Sequence, residues 1–164
     1  MTPDPPDPEP ERMLFAYTDS DSGDSVERMW VRALGRSEYV LDNIPFYVRG
    51  LAVDDVVLGT IEDDVLIYRS LARQSGHSTF RVIVLLAEQK EPVCAALHGF
   101  GCEVERFSQS NQSTLLAVVI PQTVNCLPLS EYLYYKHMSC VIEYEEASVS
   151  AVHLAQRNLP GPKT

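Results

Sequence analysis

The chain carries side chains from which acid–base or nucleophilic chemistry is built, but their spacing completes no catalytic set. The segment Gly76-His-Ser-Thr-Phe80 places a serine beside a histidine, yet it lacks the second glycine of a nucleophile elbow. A serine hydrolase also needs an orienting acid, and spacing alone nominates none. The sequence therefore predicts that the protein is not an enzyme. The alternative is an enzyme that uses His77 with Ser78 or with one of the acids.

His77 is the histidine that best fits a contact residue, because its polar loop, Arg73–Thr79, leads directly into an apolar strand. We expect it to touch a ligand or a partner, unless the loop side chains bond only to the backbone. The remaining histidines, His98, His137 and His153, are scattered without the i, i+4 spacing of a helical zinc site.

The cysteines and glycines point to neither a metal nor a cofactor. No Cys-x-x-Cys pair is present, and Gly99-Phe-Gly101 lacks the third glycine of a dinucleotide-binding loop. We predict that the cysteines are small buried residues with reduced thiols. They are Cys94, Cys102, Cys126 and Cys140.

Acidic side chains cluster at a predicted hairpin tip and on a predicted C-terminal strand. Strand residues two apart share one face, so Glu143 and Glu145 form an acidic row, as do Glu103 and Glu105. Such a row is either a solvated sheet face or a surface that attracts a basic partner. The predicted partner-binding residues are Glu62, Asp63, Asp64, His77, Tyr134, Glu143, Glu145 and Glu146.

Composition and charge limit the partners and the cellular location that we expect for this protein. Residues 1–25 hold seven acids against one base, a net charge of −6, so −4 of the total of −10 falls on the rest of the chain. Without a basic stripe, we expect no nucleic-acid partner. The longest apolar stretches fall far below the ~20 residues that span a bilayer, and no secretory signal is visible. We therefore expect a cytoplasmic protein without a membrane segment.

The chain divides into four predicted parts. Residues 1–25 read as a flexible tail rich in proline and acid, and residues 148–164 as a C-terminal extension. Between them, 26–78 contains several short β-branched and apolar runs with polar turns, which predict a small bent sheet or a partial barrel. Residues 79–147 complete an α+β protein, packed as one unit with the first lobe.

The second lobe shows the order β-α-β-β-α-β of a ferredoxin-like fold. Its first strand is a nearly continuous apolar run, as expected for a central strand. Proline in the first turn and paired glycines at the end delimit the first helix. The predicted elements are Phe80–Ala87, Glu91–His98, Cys102–Phe107, Thr114–Ile120, Leu129–His137 and Cys140–Glu145.

Three segments resemble a bacterial family known as domain of unknown function 4265. Tyr39–Val57 is similar to its opening motif, Arg73–Val82 to its second and Ile142–Glu146 to its ending, within about Glu27–Ala147. The position of Asp54 is more often glycine in that family, so this chain makes the turn with a side chain present. The resemblance implies no established activity, although some members look like immunity proteins that accompany toxins.

Two functional hypotheses follow. The first is a cytoplasmic immunity protein that binds a cognate toxin domain and occludes its active site, being a monomer or a weak homodimer when free. The second is a regulatory module that senses a small molecule, with the loop Ser75–Thr79 as its contact or with a dimerising strand edge.

Overall fold

The computed structural model describes residues 11–20, 23–108 and 113–158; the start of the predicted tail and the end of the predicted extension lie outside these residues. A short 3-10 turn covers Ala87–Gln89. The strands and helices are β1 (Glu11–Ser20), β2 (Gly23–Gly35), β3 (Glu38–Leu41), β4 (Val56–Glu62), β5 (Val65–Arg73), β6 (Ser78–Val84), α1 (Lys90–Gly99), β7 (Glu103–Ser108), β8 (Thr114–Ile120), α2 (Cys126–Met138), β9 (Ile142–Ser148) and α3 (Ala151–Asn158).

Strands β1 to β5 form a closed barrel. Consecutive strands pair antiparallel, and parallel pairing of β1 with β5 closes the ring. Alternate side chains point inward because successive strand residues face opposite sides. The buried core includes Leu14, Met29, Val31, Leu41, Val57 and Leu66.

A four-stranded sheet with the order β7-β8-β6-β9 forms the second lobe, and every pairing in it is antiparallel. Helices α1 and α2 cover one face. Their residues Val93 and Leu129 join a core with Phe80 and Val82 of β6. This strand order and the β-α-β-β-α-β sequence are those of the ferredoxin-like plan.

The connection between β3 and β4, residues 42–55, lies on the other face of this sheet. Ile44 packs against Ala117 and Val119 of β8, and the Gly50 N–H donates to the Ala147 carbonyl at 2.8 Å. This segment, which we call the crossing loop, therefore joins the barrel to the sheet.

The predicted α+β class, with a β-rich lobe before a ferredoxin-like lobe, is confirmed. The assignment of residues 1–25 to a tail is wrong for its second part, because β1 and the start of β2 belong to the barrel. The predicted extension after residue 147 contains α3, which packs against α2. No helix among the described residues has the length and apolar character needed to cross a membrane.

Candidate functional site

The candidate site lies on the sheet face that the helices leave open. Cross-strand pairing aligns Ile83 of β6 with Leu115 of β8 and with Glu143 of β9, and Leu115 is also aligned with Phe107 of β7. Ile83 is 40% exposed and Phe107 46% exposed. The four side chains form a row that is apolar in the middle and acidic at the β9 edge.

Two adjoining cavities lie beside this row. The first, of about 330 Å³, is lined by Phe46, Tyr47, Arg81, Ile83, Leu115, Glu143, Tyr144 and Glu145. The second, of about 370 Å³, is lined by Val26, Glu27, Arg28, Phe46, Tyr47 and Phe107. Because Phe46 and Tyr47 line both, these crossing-loop residues form a ridge between them. We call the two cavities and their ridge the groove.

Glu27 of β2 holds the ridge in place. Its buried carboxylate accepts three consecutive backbone N–H groups, from Phe46 at 2.5 Å, Tyr47 at 3.0 Å and Val48 at 2.7 Å. A carboxylate taken out of water needs such donors, because an unpaired buried charge is costly. The barrel thereby fixes the loop conformation that shapes the groove.

Arg81 lies in the first cavity's wall and contacts both the crossing loop and β9. Its Nη2 donates to the Val48 carbonyl at 2.8 Å, and its Nη1 lies 3.6 Å from Glu145 Oε2. Burial lowers the pKa of this guanidinium, while Glu145 acts in the opposite direction. The side chain is only 11% exposed, so its charge is directed mainly at these protein partners.

The predicted acidic row on β9 is present, and two of its members line the groove. Glu143 Oε2 lies 3.1 Å from Nδ1 of His137. The Glu145 carboxylate, besides its approach to Arg81, lies 2.7 Å from Arg49 Nη2. Glu146 instead turns to α3, where both its oxygens accept hydrogen bonds from Arg157.

The other predicted partner-binding residues do not line the groove. Glu62, Asp63 and Asp64 form the exposed tip of the β4–β5 hairpin on the barrel, and Glu62 pairs with Arg69. Tyr134 lies on α2 and is 57% exposed. A contact between these residues and a partner stays a prediction.

His77 joins the crossing loop to the turn after β8. Its Nδ1 accepts the Gln122 N–H at 3.1 Å, so its Nε2 carries the proton that faces Asp54 Oδ2 at 3.5 Å. Asp54 has a φ of 64°, a conformation that favours glycine, and thus makes its turn at a conformational cost. With both ring nitrogens engaged, His77 holds two loops together.

Ser78 bonds to a different histidine. The Ser78 Oγ lies 2.6 Å from His153 Nδ1, and both residues are buried. His153 Nε2 faces the carbonyls of Pro121 and Val124 at 3.1 and 3.2 Å. Since carbonyls only accept, Nε2 carries the proton and the Ser78 hydroxyl donates to Nδ1. The structure thus does not pair Ser78 with His77, whereas the other form of the enzyme alternative, His77 with an acid, has Asp54 beside His77.

The possible metal ligands do not come together as a site in the described ranges. Within residues 11–20, 23–108 and 113–158, no group of three or more histidine, cysteine or acidic side chains could hold a metal ion. All four cysteines are free thiols. The prediction that they are buried holds for three of them, whereas Cys140 is exposed.

Sequence reasoning missed Glu27 and the aromatic ridge. One signal was available: Glu27, Met29 and Val31 share the inward face of β2, and an acid on a core-facing row indicates a paired buried carboxylate. The ridge had no such signal, because Phe46 and Tyr47 gain their role only when the crossing loop meets the sheet.

Comparisons with known proteins agree with this fold. A family model described as "Domain of unknown function (DUF4265)" matches residues 27–156. Among solved structures, a hypothetical protein from Neisseria gonorrhoeae is similar, with a TM-score of 0.73 and 21% sequence identity over 87% of this chain and 97% of that one. At this identity the likeness shows the fold. Comparison with curated proteins gives no match.

Proposed function

This chain belongs to the DUF4265 family of domains of unknown function, and we propose that it is an immunity protein. In this proposal it binds a bacterial toxin domain in the cytoplasm and occludes the active site of that domain. The observation that carries the proposal is the groove, an aromatic and apolar surface with carboxylates at its edge.

The groove has the composition of a protein-binding surface. Ile83, Tyr47 and Phe107 are each 40 to 49% exposed and lie together around the ridge. Contiguous exposed apolar side chains rimmed by polar ones are typical of interaction sites. Aromatic residues supply much of the binding energy in such interfaces.

Neutralisation by occlusion asks only for a complementary surface and no catalysis by this chain. The side chains of the enzyme alternative also make contacts within the fold: Ser78 with His153, and His77 with Asp54 and Gln122. The crossing loop is hydrogen-bonded to both the barrel and the sheet, which favours a preformed groove and a lower entropic cost of binding.

The experiment begins with capture of a partner by the tagged chain from its native host. The captured protein is then expressed alone, and we expect growth arrest that co-expression of this chain relieves. Ile83→Glu should abolish relief, because it places a charge in the middle of the apolar row. Leu34→Glu, at an exposed apolar site on the barrel, is the control with the same kind of substitution and should still relieve. A captured partner that leaves growth unchanged, or full relief by the Ile83 variant, contradicts the proposal.

A second candidate function is sensing of a small molecule at the same sheet. The first cavity, of about 330 Å³, lies within the ~300–1,000 Å³ of ligand pockets. A thermal-shift screen against amino acids and nucleotides separates the two functions. A saturable rise in melting temperature supports sensing, and a flat screen supports a protein partner.

A further inference from the structure

We infer that the first cavity of the groove is a recognition pocket for a basic side chain, a lysine or arginine of the bound partner. The inference rests on the proposed function in that the cation belongs to a docked protein. It adds to the proposed function the recognition of a cationic side chain as the basis for the groove's specificity.

The cavity combines an apolar floor with aromatic walls. Ile83 and Leu115 lie at its floor, and Phe46 and Tyr47 form the ridge beside them. A lysine or arginine stem is aliphatic and packs on such a floor, while its charged end stays near the opening. The faces of aromatic rings also attract cations.

The charges lining the cavity favour a cation. Two carboxylates, Glu143 and Glu145, and one guanidinium, Arg81, line it. Glu145 pairs with Arg81 and with Arg49, so the charge that can favour a cation is that of Glu143. Glu143 is 59% exposed at the opening, and its ion-pair partner among the described residues is His137. No lysine or arginine among the described residues pairs with Glu143, so its exposed carboxylate is available to an incoming cation.

Arg81 would favour an anion only if its donors faced the cavity freely. Instead Nη2 is bonded to the Val48 carbonyl and Nη1 is directed to Glu145. Its Nε is inaccessible to solvent. The guanidinium therefore braces the crossing loop and, together with Arg49, offsets Glu145. Glu143, which contacts only His137 among the described ion-pair partners, is the carboxylate left for a partner at the opening.

The test uses two probes of similar size and opposite charge, n-butylguanidinium and pentanoate. Each is titrated into the isotopically labelled full chain at constant ionic strength, and backbone amide shifts are followed by NMR. We expect n-butylguanidinium to shift the amides of Ile83, Leu115 and Glu143 saturably, with a dissociation constant on the order of millimolar. Pentanoate should shift them little.

Glu143→Gln should weaken binding of n-butylguanidinium by about two- to fivefold, as expected for loss of an accessible ion pair. Glu88→Gln, the same change at an exposed position on the 3-10 turn, is the control and should change nothing. Equal or tighter binding of pentanoate, no binding of either probe, or insensitivity to Glu143→Gln each overturns the inference.

The outcome is distinguishable from that of the proposed function. If toxin relief is lost in the Ile83 variant but unaffected by Glu143→Gln, and n-butylguanidinium fails to bind, the groove neutralises its partner without a basic anchor. If n-butylguanidinium binds as described but no toxin exists, the pocket stands and the immunity proposal falls.

Discussion

The Glu27 carboxylate accepts the Val48 N–H at 2.7 Å across a sequence separation of 21 residues. The neighbouring N–H groups of Phe46 and Tyr47 bind the same carboxylate. One buried acid of the barrel thus fixes three residues of the crossing loop, and through Phe46 and Tyr47 it fixes the ridge of the groove.

Glu27→Gln should destabilise the protein and loosen the crossing loop. The amide retains one acceptor oxygen but places an NH₂ group against backbone donors, so buried hydrogen bonds are lost at a cost of about 1–3 kcal/mol. Urea unfolding measures the free energy, and hydrogen exchange of the Phe46–Val48 amides measures the loosening. Glu62→Gln, at the exposed hairpin, is the control. Wild-type stability together with wild-type exchange would show that the carboxylate does not hold the loop.

Local patterns were sufficient to predict the second lobe. The apolar run that begins at Phe80 predicts the central strand, which is observed as Ser78–Val84 and ends before the predicted Ala87. Pro92 with Gly99 and Gly101 delimits the first helix, whose observed range is Lys90–Gly99. These signals are local because each element buries one continuous face of its own sequence. The lobe was therefore predictable without any knowledge of its partners.

The barrel was harder to delimit because its first hairpin resembles a linker in sequence. Residues 19–24 are polar and acidic, which indicates a flexible segment, yet β1 and β2 pair as far as Asp19 with Asp24 and Ser20 with Gly23. The strand β1 is stabilised by pairing with β5 as well, through Leu14–Leu66. Such a contact between distant segments leaves no local signal.

The candidate site was predictable in part. Periodicity placed Glu143 and Glu145 on one face of a strand, and both line the groove. Their partners come from separate elements: Arg49 lies on the crossing loop, Arg81 on β6 and His137 at the end of α2. Spacing along the chain carries no information about such neighbours.

Acidification should destabilise the fold through His153. Burial lowers its pKa below the ordinary value of 6.5. Between pH 6.5 and that lower pKa, the native state therefore binds fewer protons than the unfolded state. Stability contributed by neutral His153 is therefore present above about pH 6.5 and is lost as the pH falls through the native pKa. Urea unfolding as a function of pH measures this loss.

His153→Gln should lower stability at pH 7.5 and flatten the acid-dependent part of the curve, because glutamine does not titrate in this range. The control is His98→Gln, at an exposed position near the end of α1, which should keep the wild-type slope. An unchanged slope in the His153 variant would assign the acid sensitivity to other groups.

One thiol per chain should react rapidly with a disulfide reagent near pH 8. Burial raises the pKa of Cys102 to about 11 and raises that of Cys94 as well, so neither forms thiolate readily. Cys126 is buried, whereas Cys140 is exposed. Cys140→Ser should remove the fast phase and leave slow reaction limited by unfolding. Two fast thiols, or a fast phase that survives this substitution, would contradict the burial of the others.

Salt dependence should separate the two predicted acidic regions once the partner is in hand. Glu143→Gln with Glu145→Gln changes the groove edge, and Asp63→Asn with Asp64→Asn changes the hairpin tip. Asparagine suits the hairpin because both aspartates have positive φ, of 49° and 65°.

We expect each pair of substitutions to weaken the complex by about tenfold at low salt, equivalent to about 1.4 kcal/mol. At high salt only the groove pair should remain weakened, because direct contacts persist while long-range attraction is screened. Dissociation constants measured by calorimetry at two ionic strengths distinguish direct contact from long-range attraction. If the effect of the hairpin pair persists at high salt, the hairpin on the barrel contacts the partner directly.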